Sequence, residues 1–250
     1  MLVFCAGAAI GNGSDGYDIE GDRPDVTESA LTVPPGSLQI ESGVTGTFFE
    51  DGKEYTAGEM LLRLGVYGPL EARFGFNSWV IAETDGETEE GREDLSVGIK
   101  IQVLKAGIET GALCPNLALI FSTTFPSGTA PYRNDHAEPW GTVSVGWELP
   151  ADFHLGLNIV ASWPYGDGGR YRAWGTSEAL AYSPTDRLCI YVEHFMEGGE
   201  DDESLHFADA GMTFIVTSGF QVDFRIGINL NGPIHRFAGA GFIARIDGLY

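Results

Sequence analysis

The chain has 250 residues, of which 43% are hydrophobic and 35 are glycine, and its formal net charge at pH 7 is −22. This composition excludes a disordered or collagen-like chain, and the length fits one large domain. So negative a chain is not expected to bind nucleic acid, because a row of phosphates needs cations to neutralise it. Its three cysteines, Cys5, Cys114 and Cys189, are too few and too scattered for a disulfide framework or a metal site.

The first 37 residues carry no strand pattern. Residues 1–12 are apolar and rich in small residues, like the tail of a truncated secretory signal peptide that has lost its basic start. Residues 13–37 are polar and acidic, contain Pro24, Pro34 and Pro35, and predict a non-strand leader. No run of 18 apolar residues occurs in the chain, so a membrane protein of this sequence would have to be a closed β-barrel.

From Leu38 onward, apolar and polar residues alternate with the period of a β-strand. The pattern is clear in the segment 220–229, where one side is wholly apolar and the other carries Gln221, Asp223, Arg225, Gly227 and Asn229. About twelve such strands are predicted between residues 38 and 250. The strand from Asn116 to Phe125 is apolar on both sides, and its orientation stays open.

The predicted connections are of two kinds. Tight turns are predicted at 68–69, 150–152, 183–186 and 217–219, and longer, mostly acidic loops lie between them. We interpret 50–59 and 79–94 as two of these loops, and the second must be solvated because it holds seven acids and one arginine. An even number of strands with short turns at one end and long loops at the other is typical of outer-membrane barrels. A β-sandwich has no reason to sort its loops in this way.

The polar side of the predicted strands contains six acids and five bases, a nearly balanced set that would line the lumen of a barrel, since Lys or Arg facing lipid near the midplane costs about 2–4 kcal/mol. The predicted lining residues are Glu41, Arg63, Glu71, Arg73, Lys100, Glu148, Glu193, Asp209, Asp223, Arg225 and Arg245. Glu193 and Asp209 could share a proton, but an ion pair with Arg225 is the favoured interpretation.

Six segments, taken in order from about Gly21 to the C-terminus, resemble an outer-membrane transporter family named for a meta-pathway of phenol degradation. They are GDRPDVTESALTVPPGSLQIESG, LLRLGVYGPLEARFGF, DLSVGIKIQVL, FSTTFPSG, YSPTDRLCIYVEH and ADAGMTFIVTSGFQVDFRIGINLNG. The resemblance implies an outer-membrane β-barrel for small aromatic or hydrophobic compounds. The last strand, GFIARI, followed by the terminal Tyr250, is similar to the C-terminal signal that barrel-assembly machinery reads.

Asp22, Arg23 and Asp25 lie in the leader, and Pro34-Pro35 keeps the intervening chain extended. This segment is long enough to fold back into the periplasmic mouth of a barrel and to pair with Arg63, Arg73 or Glu71. We therefore predict that residues 13–37 form a periplasmic leader that acts as a partial plug, with a flexible tail as the alternative. The acidic loops could bind divalent cations, but a solvated charge run is the favoured interpretation.

No catalytic residues, metal ligands or cofactor site are predicted. The five histidines are dispersed without metal spacing, and no Gly-x-Ser-x-Gly motif occurs. The prediction is an all-β, closed, antiparallel up-and-down barrel over residues 38–250 in the bacterial outer membrane. It would be a non-enzymatic, passive channel for small solutes, with membrane lipid and barrel-assembly machinery as partners. A non-transporting scaffold or adhesin is the alternative, and a soluble ligand-binding sandwich is a third option.

Overall fold

The computed structural model describes residues 19–106, 114–166, 168–200, 203–232 and 235–250. The predicted signal peptide, residues 1–12, and the first six residues of the predicted leader lie outside the described residues. Within the described ranges there is no helix long and apolar enough to cross a membrane.

The described chain forms seventeen β-strands. In chain order they are β1 (Leu38–Phe48), β2 (Gly52–Ala57), β3 (Met60–Tyr67), β4 (Leu70–Phe76), β5 (Trp79–Thr84), β6 (Glu87–Arg92), β7 (Leu95–Leu104), β8 (Asn116–Phe125), β9 (Glu138–Leu149), β10 (Phe153–Ser162), β11 (Tyr165–Gly166), β12 (Gly169–Arg170), β13 (Ala173–Thr185), β14 (Leu188–Gly199), β15 (Leu205–Thr217), β16 (Phe220–Asn229) and β17 (Arg236–Ile246).

Fifteen of these strands form one antiparallel sheet that closes on itself. Strand β17 pairs with β1 from Leu38↔Ile246 to Phe48↔Arg236, so the first and last strands complete the ring. Three wall strands are each interrupted by two residues, which join β2 to β3, β4 to β5 and β6 to β7. Counted in this way, the wall has twelve strands. The prediction of a closed, twelve-stranded antiparallel barrel is confirmed.

Two segments predicted as loops are strands, and these predictions were wrong. Residues 52–57 form β2, which pairs with the second half of β1, and residues 79–92 form the hairpin β5–β6. Charged side chains do not prevent strand formation where they face solvent, and Glu87, Glu89 and Glu90 are exposed. The Asp85-Gly86 turn, with φ values of 53° and 82°, allows the tight hairpin.

The two faces of the wall differ in the expected way. On β16, Val222, Phe224 and Ile226 are 38%, 43% and 52% exposed, whereas Gln221 and Asp223 are buried. Among the residues that the structure describes, no second layer of protein covers the apolar side, and the sheet is closed, so a soluble sandwich is excluded. Because the sheet is closed, its buried polar side faces the barrel interior, which we call the lumen. Strand β8 follows the same rule: Ile120 and Ser122 are buried, and Phe121 is exposed.

Candidate functional site

The described part of the chain before β1 lies inside the barrel from Ile19 to Val33. The leader residues Ile19, Thr27, Ser29, Ala30 and Val33 are each at most 1% exposed. A segment without secondary structure can be buried only if its backbone groups find partners. The wall supplies several of them, because Val33 N donates to Glu71 and Asp22 N donates to Glu41.

Asp22 lies at the centre of a cationic group formed by three neighbouring wall strands. Its carboxylate is 2.5 Å from Arg73 Nη1, 3.2 Å from Arg63 Nη1 and 3.1 Å from Lys100 Nζ. The cations come from β3, β4 and β7, which are adjacent in the sheet. Their side chains therefore converge on one point of the lumen.

Two wall carboxylates complete this group. Arg63 forms a two-pronged pair with Glu71, from Nε to Oε1 at 2.9 Å and from Nη2 to Oε2 at 3.0 Å. Its Nη1 also donates to Glu41 at 2.9 Å. Arg63, Glu41 and Glu71 are fully buried, and buried charges are stable only when they are paired and hydrogen-bonded. We call Arg63, Arg73, Lys100, Glu41 and Glu71 the cationic cluster.

Arg23 points to a different part of the wall. Its Nη1 lies 2.8 Å from Glu59 Oε2, and its Nη2 lies 3.4 Å from Asp223 Oδ1. The guanidinium occupies space that glycine leaves free, because a Cβ built on Gly43 would lie 2.1 Å from Arg23 Nη2. Adjacent leader residues of opposite charge are thus paired with opposite charges of the wall.

Glu193 binds the next part of the leader. Its carboxylate accepts hydrogen bonds from Val26 N at 2.9 Å, from Thr27 N at 2.7 Å and from Thr27 Oγ1 at 2.5 Å. Thr27 Oγ1 also lies 2.8 Å from Ser177 Oγ. Asp25, the third residue singled out in the leader, is 4% exposed and lies on the side of Glu193 and Asp209.

Ten of the eleven predicted lining residues fall into two groups, one buried and one at the end of the wall with the tight turns. Eight of them are buried: Glu41, Arg63, Glu71, Arg73, Lys100, Glu193, Asp209 and Asp223. Glu148 and Arg245 lie at the tight-turn end, where Glu148 pairs with His154 at 2.6 Å and Arg245 pairs with Asp247 at 3.0 Å.

The favoured ion pair between Arg225 and the carboxylates of Glu193 and Asp209 is not found within 4 Å in the described part of the chain, and that interpretation was wrong. Arg225 Nη2 instead contacts Thr45 Oγ1 at 3.4 Å, and its guanidinium lies 5.4 Å from the centre of the Phe237 ring. The physical reason is competition, because the leader supplies the hydrogen bonds that Glu193 accepts.

A family model described as Putative MetA-pathway of phenol degradation matches residues 21–246. The chain belongs to this family. The match confirms the resemblance found in the sequence and begins within the leader, so the matched residues include Asp22, Arg23 and Asp25. A search of curated protein sequences returned no match.

Solved structures similar to this family member are outer-membrane barrels. An outer membrane channel from Pseudomonas putida F1 aligns with a TM-score of 0.71 at 14% identity, over 90% of this chain and 99% of that one. The NanC porin aligns with a TM-score of 0.57 at 10% identity, over 82% and 98%. The CymD monoaromatic hydrocarbon channel aligns with a TM-score of 0.51 at 6% identity, over 87% and 90%. At these identities the likeness concerns the fold.

Aromatic residues of the lumen were missed by the search for charged residues. Phe195, Phe207 and Phe237 occupy inward-facing positions of β14, β15 and β17, and the Phe195 and Phe207 rings stack with their centres 4.7 Å apart. A cavity of about 250 Å³, lined in part by Val26, Val160 and Phe195, adjoins this group. Each of these aromatic residues is separated by an even number of positions from a predicted lining residue on its own strand, namely Glu193, Asp209 or Arg245. This spacing is the sequence signal that places them on the inward face.

Two of the histidines that looked dispersed are neighbours. His194 Nε2 lies 3.1 Å from His206 Nδ1, and His194 Nδ1 lies 2.7 Å from Glu178 Oε1. Pairing of β13, β14 and β15 brings them together, on the side of the wall that faces away from the lumen. Among the residues that the structure describes, no group of three or more His, Cys, Asp or Glu is arranged to hold a metal ion.

Proposed function

We propose that this chain is a channel of the bacterial outer membrane for the passive uptake of small solutes, among them aromatic or hydrophobic compounds. The closed barrel with an apolar exterior and a charged interior carries this proposal, because such a wall suits lipid outside and a solute path inside. Family membership supports it. The names of the similar structures, which are channels and porins, one of them for monoaromatic hydrocarbons, support a transport role rather than an enzymatic one.

We further propose that the leader is a partial plug and that the eleven lining residues form the solute path. The contacts of Asp22, Arg23 and Thr27 with three parts of the wall support this proposal. Hydrogen bonds to charged groups contribute about 1.5–3 kcal/mol each. With several of them, the leader would occupy the lumen most of the time, and transport would depend on its displacement.

Planar-bilayer conductance tests both the channel function and the role of the leader as a plug. A variant that lacks residues 13–33 is expected to conduct several times more current than the full-length chain, since removal of the leader frees the middle of the lumen. Equal conductance in the two proteins would count against the plug. Liposome swelling with small neutral solutes then tests passive permeation directly.

A non-transporting scaffold or adhesin is the second candidate function. The observation that favours it is the exposed hairpin β5–β6, whose Glu87, Glu89 and Glu90 face solvent at the long-loop end. A scaffold would neither swell liposomes nor conduct ions after removal of the leader. The proposed partners are outer-membrane lipid, the solute, and the barrel-assembly machinery through β17, with no nucleic acid.

A further inference from the structure

We infer that the position of the Asp22 carboxylate is a binding site for small organic carboxylates, and that the leader occupies it as a tethered ligand. When the leader withdraws, a carboxylate solute would bind Arg63, Arg73 and Lys100 in its place. This inference rests on the proposed channel function and names one class of solute for it.

The geometry of the site is that of a carboxylate receptor. Three donors from three strands lie within 3.2 Å of the two Asp22 oxygens, and two of them, Arg63 and Arg73, are also paired with Glu71 of the wall. Arg63 is fixed by Glu71 and Glu41, so it keeps its position whether or not the leader is present. Cations that are positioned before the ligand arrives bind it with little loss of conformational entropy.

The charges of the wall also require an anion at this point. The cationic cluster contains three cations but only two carboxylates. The leader supplies the missing negative charge through Asp22 and adds a second carboxylate, Glu28, whose Oε1 lies 3.1 Å from Arg73 Nη2. Arg63 and Lys100 are fully buried, and a buried cation without a partner is strongly unfavourable. Withdrawal of the leader would leave a positive excess in the lumen, and a solute carboxylate would neutralise it.

The opposite side of the lumen would orient such a solute. Glu193, Asp209 and Asp223 lie on β14, β15 and β16, away from β3, β4 and β7 in the ring of strands. A carboxylate is repelled there, whereas Phe195, Phe207 and Phe237 on the same side offer apolar contact. The arrangement fits a molecule with a carboxylate at one end and an apolar body.

Because the leader is part of the same chain, it competes with the solute at a high effective concentration. The substitution Asp22→Asn removes the leader carboxylate that contacts all three cations and leaves its shape, while Glu28 of the leader still pairs with Arg73. We expect Asp22→Asn to bind benzoate about tenfold or more tightly than the unaltered chain, because an ionic hydrogen bond is about twice as strong as a neutral one. Binding of benzyl alcohol, which has the same ring without the charge, is expected to remain the same in both proteins.

The experiment uses the full-length chain in detergent micelles, with isothermal titration of benzoate, benzyl alcohol and benzylamine. Adding Arg73→Gln to Asp22→Asn is expected to abolish the gain for benzoate. Adding Lys53→Gln, which removes one positive charge from the exposed β2–β5 pair, is expected to retain it. Heat-modifiable migration in gels verifies that each variant is a folded barrel.

Asp22→Asn would overturn the inference if it bound benzoate no more tightly than the unaltered chain, or if benzyl alcohol gained as much as benzoate. The conductance of the same variants in potassium chloride separates this result from a failure of the proposed function. If Asp22→Asn conducts current but the titration shows no gain in affinity for benzoate, the carboxylate site alone is refuted. Absence of current and of solute flux, even without the leader, would refute the channel and the inference with it.

Discussion

The carboxylate of Asp22 lies 2.5 Å from Nη1 of Arg73, although the two residues are 51 positions apart in the chain. The contact joins a segment outside the sheet to a side chain in the wall. It places a leader charge within a cluster that the wall strands build from β3, β4 and β7. Removal of a cation from that cluster is therefore expected to lower the stability of the barrel, whereas displacement of the leader is expected to change its conductance.

Arg63→Met is expected to lower the free energy of unfolding by about 3–5 kcal/mol, because it leaves Glu41, Glu71 and Asp22 buried without their shared cation. Methionine preserves most of the side-chain volume, so the loss reports charge rather than packing. Unfolding by urea or guanidinium in lipid vesicles measures it.

The matched control is Lys53→Met, in which the lost cation is paired with Glu83 at 3.0 Å but both side chains are exposed. Solvent screens such a pair, so the midpoint of unfolding should not move. An Arg63→Met barrel as stable as the Lys53→Met barrel would show that the cationic cluster is dispensable for folding.

A disulfide between the leader and the wall is expected to hold the plug in place. Thr27 Oγ1 and Ser177 Oγ are 2.8 Å apart, so cysteines at these two positions can approach bonding distance. With Cys5 and Cys114 replaced by serine, the oxidised double variant should conduct less than the same protein after reduction. The single variant Thr27→Cys should show no response to reductant. Equal currents in the oxidised and reduced double variant would contradict gating by the leader.

Gly65→Ala is expected to loosen the leader without removing a charge. A Cβ at this position would lie 2.0 Å from the carbonyl oxygen of Pro34, which is too close for any rearrangement of side chains alone to relieve. The leader backbone must shift, so limited proteolysis should cleave it faster than in the unaltered chain. Gly168→Ala is the control, since its Cβ would have no heavy atom within 4 Å. Identical cleavage rates in the two variants would argue against close packing of the leader at Gly65.

The sequence predicted the fold because the barrel follows a local rule that every strand repeats. Apolar residues such as Val222 and Phe224 alternate with polar ones, and a residue's position in its own strand determines the face on which it lies. The high charge of residues 79–94 suggested a loop, whereas the Asp85-Gly86 turn within this segment indicates the hairpin that the structure contains. In a strand exposed to solvent, the backbone pairs equally well beneath charged side chains.

The partners of individual lining residues were harder to predict. The alternation places Arg225 and Glu193 on the inward side, but it does not indicate that Glu193 binds Thr27 of the leader instead of Arg225. Contacts between a segment without periodicity and a curved wall depend on the path of that segment through the lumen. The charge of Asp22 indicated its partners Arg63 and Arg73. Arg23, in contrast, pairs with Glu59 and Asp223 and not with Glu71, because Arg63 and Arg73 already pair with Glu71.

Phe224→Arg tests whether the outward face of β16 contacts lipid. Phe224 is 43% exposed and lies between the exposed residues Val222 and Ile226. In the hydrocarbon region an arginine costs about 2–4 kcal/mol, so the variant should unfold at a lower denaturant concentration in vesicles. Glu87→Arg, on the solvent-exposed β5–β6 hairpin, makes the same new side chain in water and should leave the midpoint unchanged. If Phe224→Arg were as stable as Glu87→Arg, the apolar side of the wall would not be immersed in lipid.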